Sequence, residues 1–163
     1  MTVFDNTTVR CAAPLDANHP LAAALEGRSD IFAMTEQAQD AALRPKNPGG
    51  LSHDERAALA SRMARLNSED GLADHFASLL VDGDAAKIAD PTFDGEPDSR
   101  LAALIRHTDL VTRDTKSVVA ADITALKDAG ISEDDIVRLS ELTAFVNYQA
   151  RVSRGLRLLA GLS

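Results

Sequence analysis

Cysteine occurs once in this chain of 163 residues, tyrosine once and tryptophan not at all. The single thiol, Cys11, has no partner for an intramolecular disulfide and cannot found a cysteine-based metal cluster. Aromatic residues make up only 4%. The interior must therefore be built from Leu, Ala, Val and Ile, a mixture that favours helices over strands. Positive charge is also scarce: 17 Lys and Arg stand against 25 Asp and Glu, for a net charge of -8. An acidic surface repels phosphate backbones and argues against nucleic acid as a partner. No apolar run approaches the roughly 20 residues that cross a bilayer. The opening Met-Thr-Val-Phe-Asp-Asn lacks the basic and apolar regions of a secretory signal. The expectation is a cytoplasmic protein with no membrane partner.

What is present is the composition of a globular protein with a sizeable core, 45% hydrophobic and 26% charged. Residues 1–17 carry little periodic signal and read as an arm or extended segment. Asn18-His19-Pro20 opens a short helix, with the proline acceptable in the first turn. A second helix is predicted from about Ser29 to Leu43, carrying Ile31, Phe32, Met34 and Ala38. Arg44-Pro45-Lys-Asn-Pro48-Gly49-Gly50 then breaks the pattern and reads as a linker. The chain divides accordingly into an N-terminal arm with helices and linker, 1–50, and a helical domain, 51–163.

Beyond the linker the helix signals sharpen. Ser52-His-Asp-Glu55 is a capping box, followed by Leu59, Met63 and Leu66 at helical spacing. Leu72, Phe76 and Leu79 mark a helix from about Glu69 to Val81, and Gly83 with the stretch 90–97 forms a long turn region. Leu101, Leu104, Ile105, Thr108 and Val111 mark another from about Ser99 to Thr112. Asp114 or Thr115 is expected to cap the next, whose stripe is Val119, Ile123 and Leu126 and which Gly130 closes. Ser132 caps a long last helix with Ile136, Leu139, Leu142, Val146, Val152, Leu156 and Leu159 on one face. No segment alternates with period two, so the fold class is all-α.

Several stretches carry a family likeness. They are Leu51-Ser-x-x-Glu55-Arg56, Leu101-Ala-Ala-Leu-Ile-Arg-His107, Leu110-Val-Thr-Arg-Asp114, the turn Leu126-Lys-Asp-Ala-Gly130-Ile-Ser132 and Ala144-Phe-Val-Asn147-Tyr148-Gln-Ala-Arg151. In this order and spacing they resemble the carboxymuconolactone decarboxylase and alkylhydroperoxidase D superfamily, in particular its peroxidase-related branch, over roughly residues 51–160. The resemblance implies an alkylhydroperoxidase D-like helical bundle. Active members carry Cys-x-x-Cys-x-x-x-His at a helix start, where free N–H groups stabilise a thiolate. A nearby Glu and His relay protons, and the second thiol resolves the sulfenic acid. Counting back from His75 puts Ser68 and Gly71 at the two cysteine positions, in a register fixed to within one residue. Neither register supplies a cysteine.

The resemblance therefore implies a peroxidase-related protein that has lost its thiol chemistry and acts as a binding or accessory subunit. It would need no cofactor and no metal. It would assemble as a homo-oligomer, with a cysteine-bearing paralogue as a further candidate partner. The alternative is an acid–base enzyme of the decarboxylase type, with Glu55 and His75 as its pair. The bland readings stand beside these. Ser68 is a preferred N-cap residue, and His75 suits a half-buried structural role. His107 could converge on His75. Asn147, Tyr148 and Arg151 could line a pocket or interface or form a structural hydrogen-bond set. Arg151, Arg154 and Arg157 suit a helix C-terminus as cations, and Cys11 reads as an incidental thiol.

Overall fold

A computed structural model describes residues 2–161. Among them there is no β-strand, and eight α-helices follow in order. These are α1 (Thr7–Ala12), α2 (Ala22–Glu26), α3 (Ser29–Leu43), α4 (His53–Leu66), α5 (Asp70–Ala77), α6 (Ser99–Arg113), α7 (Ala120–Asp128) and α8 (Glu133–Leu159). Short 3-10 turns occupy Val3–Asp5, Ala85–Ala89 and Thr115–Ser117. The all-α class read from composition and periodicity is the class observed.

The axis of the molecule is α4. Every residue from Arg56 to Ala64 is buried, because α5, α6, α8 and α3 all pack on it. Alanines at 57, 58, 60 and 64 keep its surface thin enough for neighbours on every side. Two of its buried residues are arginines, and each is satisfied by binding loops. Arg56 donates to the carbonyls of Leu51 (3.0 Å), Ala42 (3.0 Å) and Pro48 (2.9 Å), pinning the linker before the helix. Arg62 grips Asp109 of α6 with both ends of its fork, at 2.6 and 2.7 Å. It also donates to the carbonyls of Ile88, Asp90, Pro91 and Phe93. The long turn region after α5 is thus wound around one guanidinium, consistent with the planar fork that lysine lacks.

Several helix boundaries follow local chemistry. Ser52 and Glu55 form the expected capping box, at 3.1 and 2.9 Å. Ser132 Oγ accepts from Asp135 N at 3.2 Å, and Gly130 turns with φ 83. Others do not. The arm expected over 1–17 contains α1, which Asn6 caps by accepting from the amides of Thr8 and Val9. α5 stops at Ala77, short of the expected Val81, because Asp54 of α4 takes the amides of Val81 and Asp82 at 3.1 and 3.0 Å. The seventh helix starts later than Asp114 or Thr115. A 3-10 turn intervenes, and Asp122 accepts the amide of Val119 at 2.9 Å.

The first 50 residues pack closely against the rest. Val3, Val9, Ala12, Leu25 and Phe32 form a second buried cluster together with Leu156 of α8. The main cluster joins α4, α5, α6 and α8 through Leu59, Met63, Leu72, Phe76, Leu104 and Leu139, all 0% exposed.

Candidate functional site

The start of α5, where the resemblance places the emptied motif, is assembled from three elements. Asn67 ends α4 and donates to the Met63 carbonyl (2.9 Å) and to Asn147 Oδ1 of α8 (3.0 Å). Ser68 follows at φ 58, the one described residue other than glycine in the left-handed region. It does not cap α5, as its type suggested: the helix begins at Asp70, and the residue before it is Glu69. A left-handed turn is needed to swing the chain from the end of α4 into α5, and that turn takes Ser68 out of the capping position.

Glu69 is 1% exposed. Its carboxylate does not cap α5 but reaches across to α8. Arg157 holds both oxygens, Nη2 to Oε1 at 2.7 Å and Nη1 to Oε2 at 2.8 Å, and Ser153 Oγ donates to Oε2 at 2.8 Å. A bidentate fork plus a hydroxyl compensates a buried charge that would otherwise be costly. Arg157, read from sequence as a cation balancing a helix end, is therefore an ion-pair partner with a fixed address. Gly71 is explained by packing. A Cβ there would lie 2.5 Å from the Cys11 carbonyl oxygen, so the closeness of α1 to α5 excludes any side chain at 71.

The proposed acid–base residues lie on different partners. Glu55 spends one oxygen on the Ser52 amide and the other on Arg100, at 2.7 Å. His75 sits in the last turn of α5, with its Nε2 3.5 Å from Gln39 Nε2. No hydrogen bond or common partner joins the two among the described residues. His107 is buried on α6, and its Nδ1 has no hydrogen-bond partner. No hydrogen bond joins it to His75 among the described residues. Burial holds both imidazoles below the ordinary histidine value. Arg10 adds to that at His75 while Glu36 opposes it, and Arg106 adds at His107 while Asp122 opposes it. Cys11 is half-buried, and desolvation raises its thiol, the opposite of what a peroxide-reactive thiolate needs.

Asn147, Tyr148 and Arg151 part company. Asn147 is buried and ties α8 to α4, donating to the Thr143 carbonyl at 2.9 Å and accepting from Asn67. Arg151 donates to the Asn147 carbonyl at 3.0 Å. Tyr148 is 42% exposed and lies 3.2 Å from the Thr35 hydroxyl. With Ile31, Met34 and Phe145 it lines an open apolar groove of about 430 Å³ between α3 and α8. Inside the bundle, Gln149 donates to Thr8 (3.0 Å) and Gln39 (2.9 Å), and Gln39 continues the chain to His75. No local pattern announces this hydrogen-bond network or the role of Glu69. Among the described residues, no group of three or more His, Cys, Asp or Glu side chains converges as a metal site would require.

No family model, no curated protein and no solved structure matches this chain.

Proposed function

We propose that this chain is a peroxidase-related protein of the alkylhydroperoxidase D-like type that has lost thiol chemistry and serves as a binding or accessory subunit. The observation that carries the reading is Glu69. A redox thiol would stand at the N-terminus of α5, in reach of its free amides. There the chain has a carboxylate, 1% exposed and saturated by Arg157 and Ser153. Counted back from His75, the two positions fall on Ser68 in the left-handed turn and Gly71 against the α1 backbone; the register shifted by one residue gives up the histidine, since Phe76 then stands in its place. It places Glu69 and the fully buried Leu72 at the two positions. Neither a serine, a glycine nor a carboxylate can form a sulfenic acid or a disulfide.

Assembly fits the same reading. The groove bearing Ile31, Met34 and Tyr148 leaves large apolar side chains in water, as a protein-protein contact would. A homo-oligomer or a cysteine-bearing paralogue would cover it.

The test is turnover of tert-butyl hydroperoxide by the metal-free protein with a dithiol reductant. The expected rate is that of the reductant alone. Peroxide consumption that scales with protein concentration and disappears in Cys11→Ser would overturn the proposal.

A further inference from the structure

Away from the start of α5, the ends of α2 and α8 and the beginning of α3 enclose a cavity of about 180 Å³. Its floor is Leu25, Phe32 and Leu156, all buried. Its walls are Leu21, Ala24 and Leu159, the last 70% exposed. The lining contains a single charged side chain, Arg28, which makes no ion pair and no side-chain hydrogen bond with any described residue. Six of the 17 arginines and lysines sit in ion pairs among the described residues; Arg28 is one of the exposed cations that do not, and it lies at the mouth of an apolar pocket. Glu26 and Asp30 are near it in sequence, yet neither carboxylate closes on it.

We infer that this cavity binds a medium-chain carboxylate, with the acyl chain on Leu25, Phe32 and Leu156 and the head group on Arg28. The size fits. At about 30 Å³ per group of water or methylene size, the space admits roughly six groups. A chain somewhat longer would run out over Leu159, which is 70% exposed and whose apolar surface it would cover. The charge fits too. The protein as a whole repels anions, but beyond Glu141 the sequence holds no Asp or Glu, and Arg151 and Arg154 make no ion pair among the described residues, whereas Arg157 is taken by Glu69. The end of α8 is therefore the least acidic part of the chain, and it forms one wall of the cavity. This inference is independent of the reading of Glu69 and survives its failure.

Calorimetric titration of the full chain with sodium decanoate, kept below its micellar range, tests it. Saturable binding with one site per chain is expected. A charge-assisted contact is worth about 1.5–3 kcal/mol, so Arg28→Glu should weaken decanoate at least about tenfold while leaving decanol nearly unaffected. Ala24→Trp, at an exposed position, should abolish binding of both ligands without lowering the melting temperature. The inference is overturned by three results. One is no saturation with monomeric decanoate, and another is affinity for decyltrimethylammonium equal to that for decanoate. The third is binding to phosphatidylglycerol vesicles alone, which would mark a surface and not a site.

Discussion

At the scale of single residues, the molecule keeps its charges inside by giving each one a complete set of partners. Glu69 is the clearest instance. Removing Arg157 strands a carboxylate that is 1% exposed, and breaking a buried pair costs about 3–5 kcal/mol. Because the Arg157 side chain is itself 23% exposed, the lower figure is expected: Arg157→Ala should lose about 3 kcal/mol in urea unfolding. The double change Glu69→Leu with Arg157→Met should recover most of that, since it leaves no charge behind. None of this could be read from the sequence. Glu69 and Arg157 are 88 positions apart, and each looks locally like an ordinary helix-end residue. The same holds for Gln39 and Gln149, whose polarity on helical faces reads as solvation until Thr8 and His75 are placed beside them.

At the scale of elements, the arginines of α4 act as fasteners for segments with little structure of their own. Arg62→Met would leave Asp109 and the carbonyls of Ile88, Pro91 and Phe93 without their donor. The segment 88–93 should then exchange its amides faster and be cut first by protease, with a stability loss of about 3–5 kcal/mol. Arg62→Lys should fare little better, because one ammonium cannot reproduce the fork. Legibility at this scale followed the caps. α3, α4, α6 and α8 were visible because Ser52, Ser132 and long apolar stripes declare themselves within one or two turns. α1 was not, for a physical reason. Six residues containing Thr7, Thr8 and Val9 have poor helix propensity. The helix exists because Asn6 and Glu36 hold its N-terminus: Asn6 donates to the Phe32 carbonyl and to Glu36, and Glu36 accepts the Thr7 amide at 3.0 Å. Tertiary contacts of that kind leave no trace in a local pattern.

At the scale of the whole molecule, acidity sets the surface, and the buried His107 and half-buried His75 set the response to pH. Both His75 and His107 have values pushed below the ordinary histidine range by burial. The unfolded chain therefore binds protons that the folded one refuses, and stability rises with pH through that range. It should be complete above about pH 6.5, the ordinary histidine value. It should fall as pH is lowered toward the depressed folded values. Melting temperatures measured between pH 5 and 8 should show this decline, and His107→Gln should flatten it. A melting temperature that rises on acidification would refute the assignment of these groups. The all-α class and the buried face of the last helix from Ile136 to Val146, resumed at Leu156, are evident from composition and spacing, but Leu159, expected on the same face, is 70% exposed. The candidate site was legible only as a location, the head of α5; what occupies it became apparent once α8 was laid across it.

The reach of Arg157 to Glu69 also has a consequence for the order in which the chain folds. A contact spanning 88 positions closes only after α5 and the far end of a 27-residue helix have both been placed. Closing so large a loop costs more entropy than forming the local turns and helices, so Arg157→Ala is expected to speed unfolding more than it slows folding. Folding and unfolding rates measured against urea would then show a raised unfolding limb and a folding limb nearly unchanged, so the pair would govern how long the native state persists.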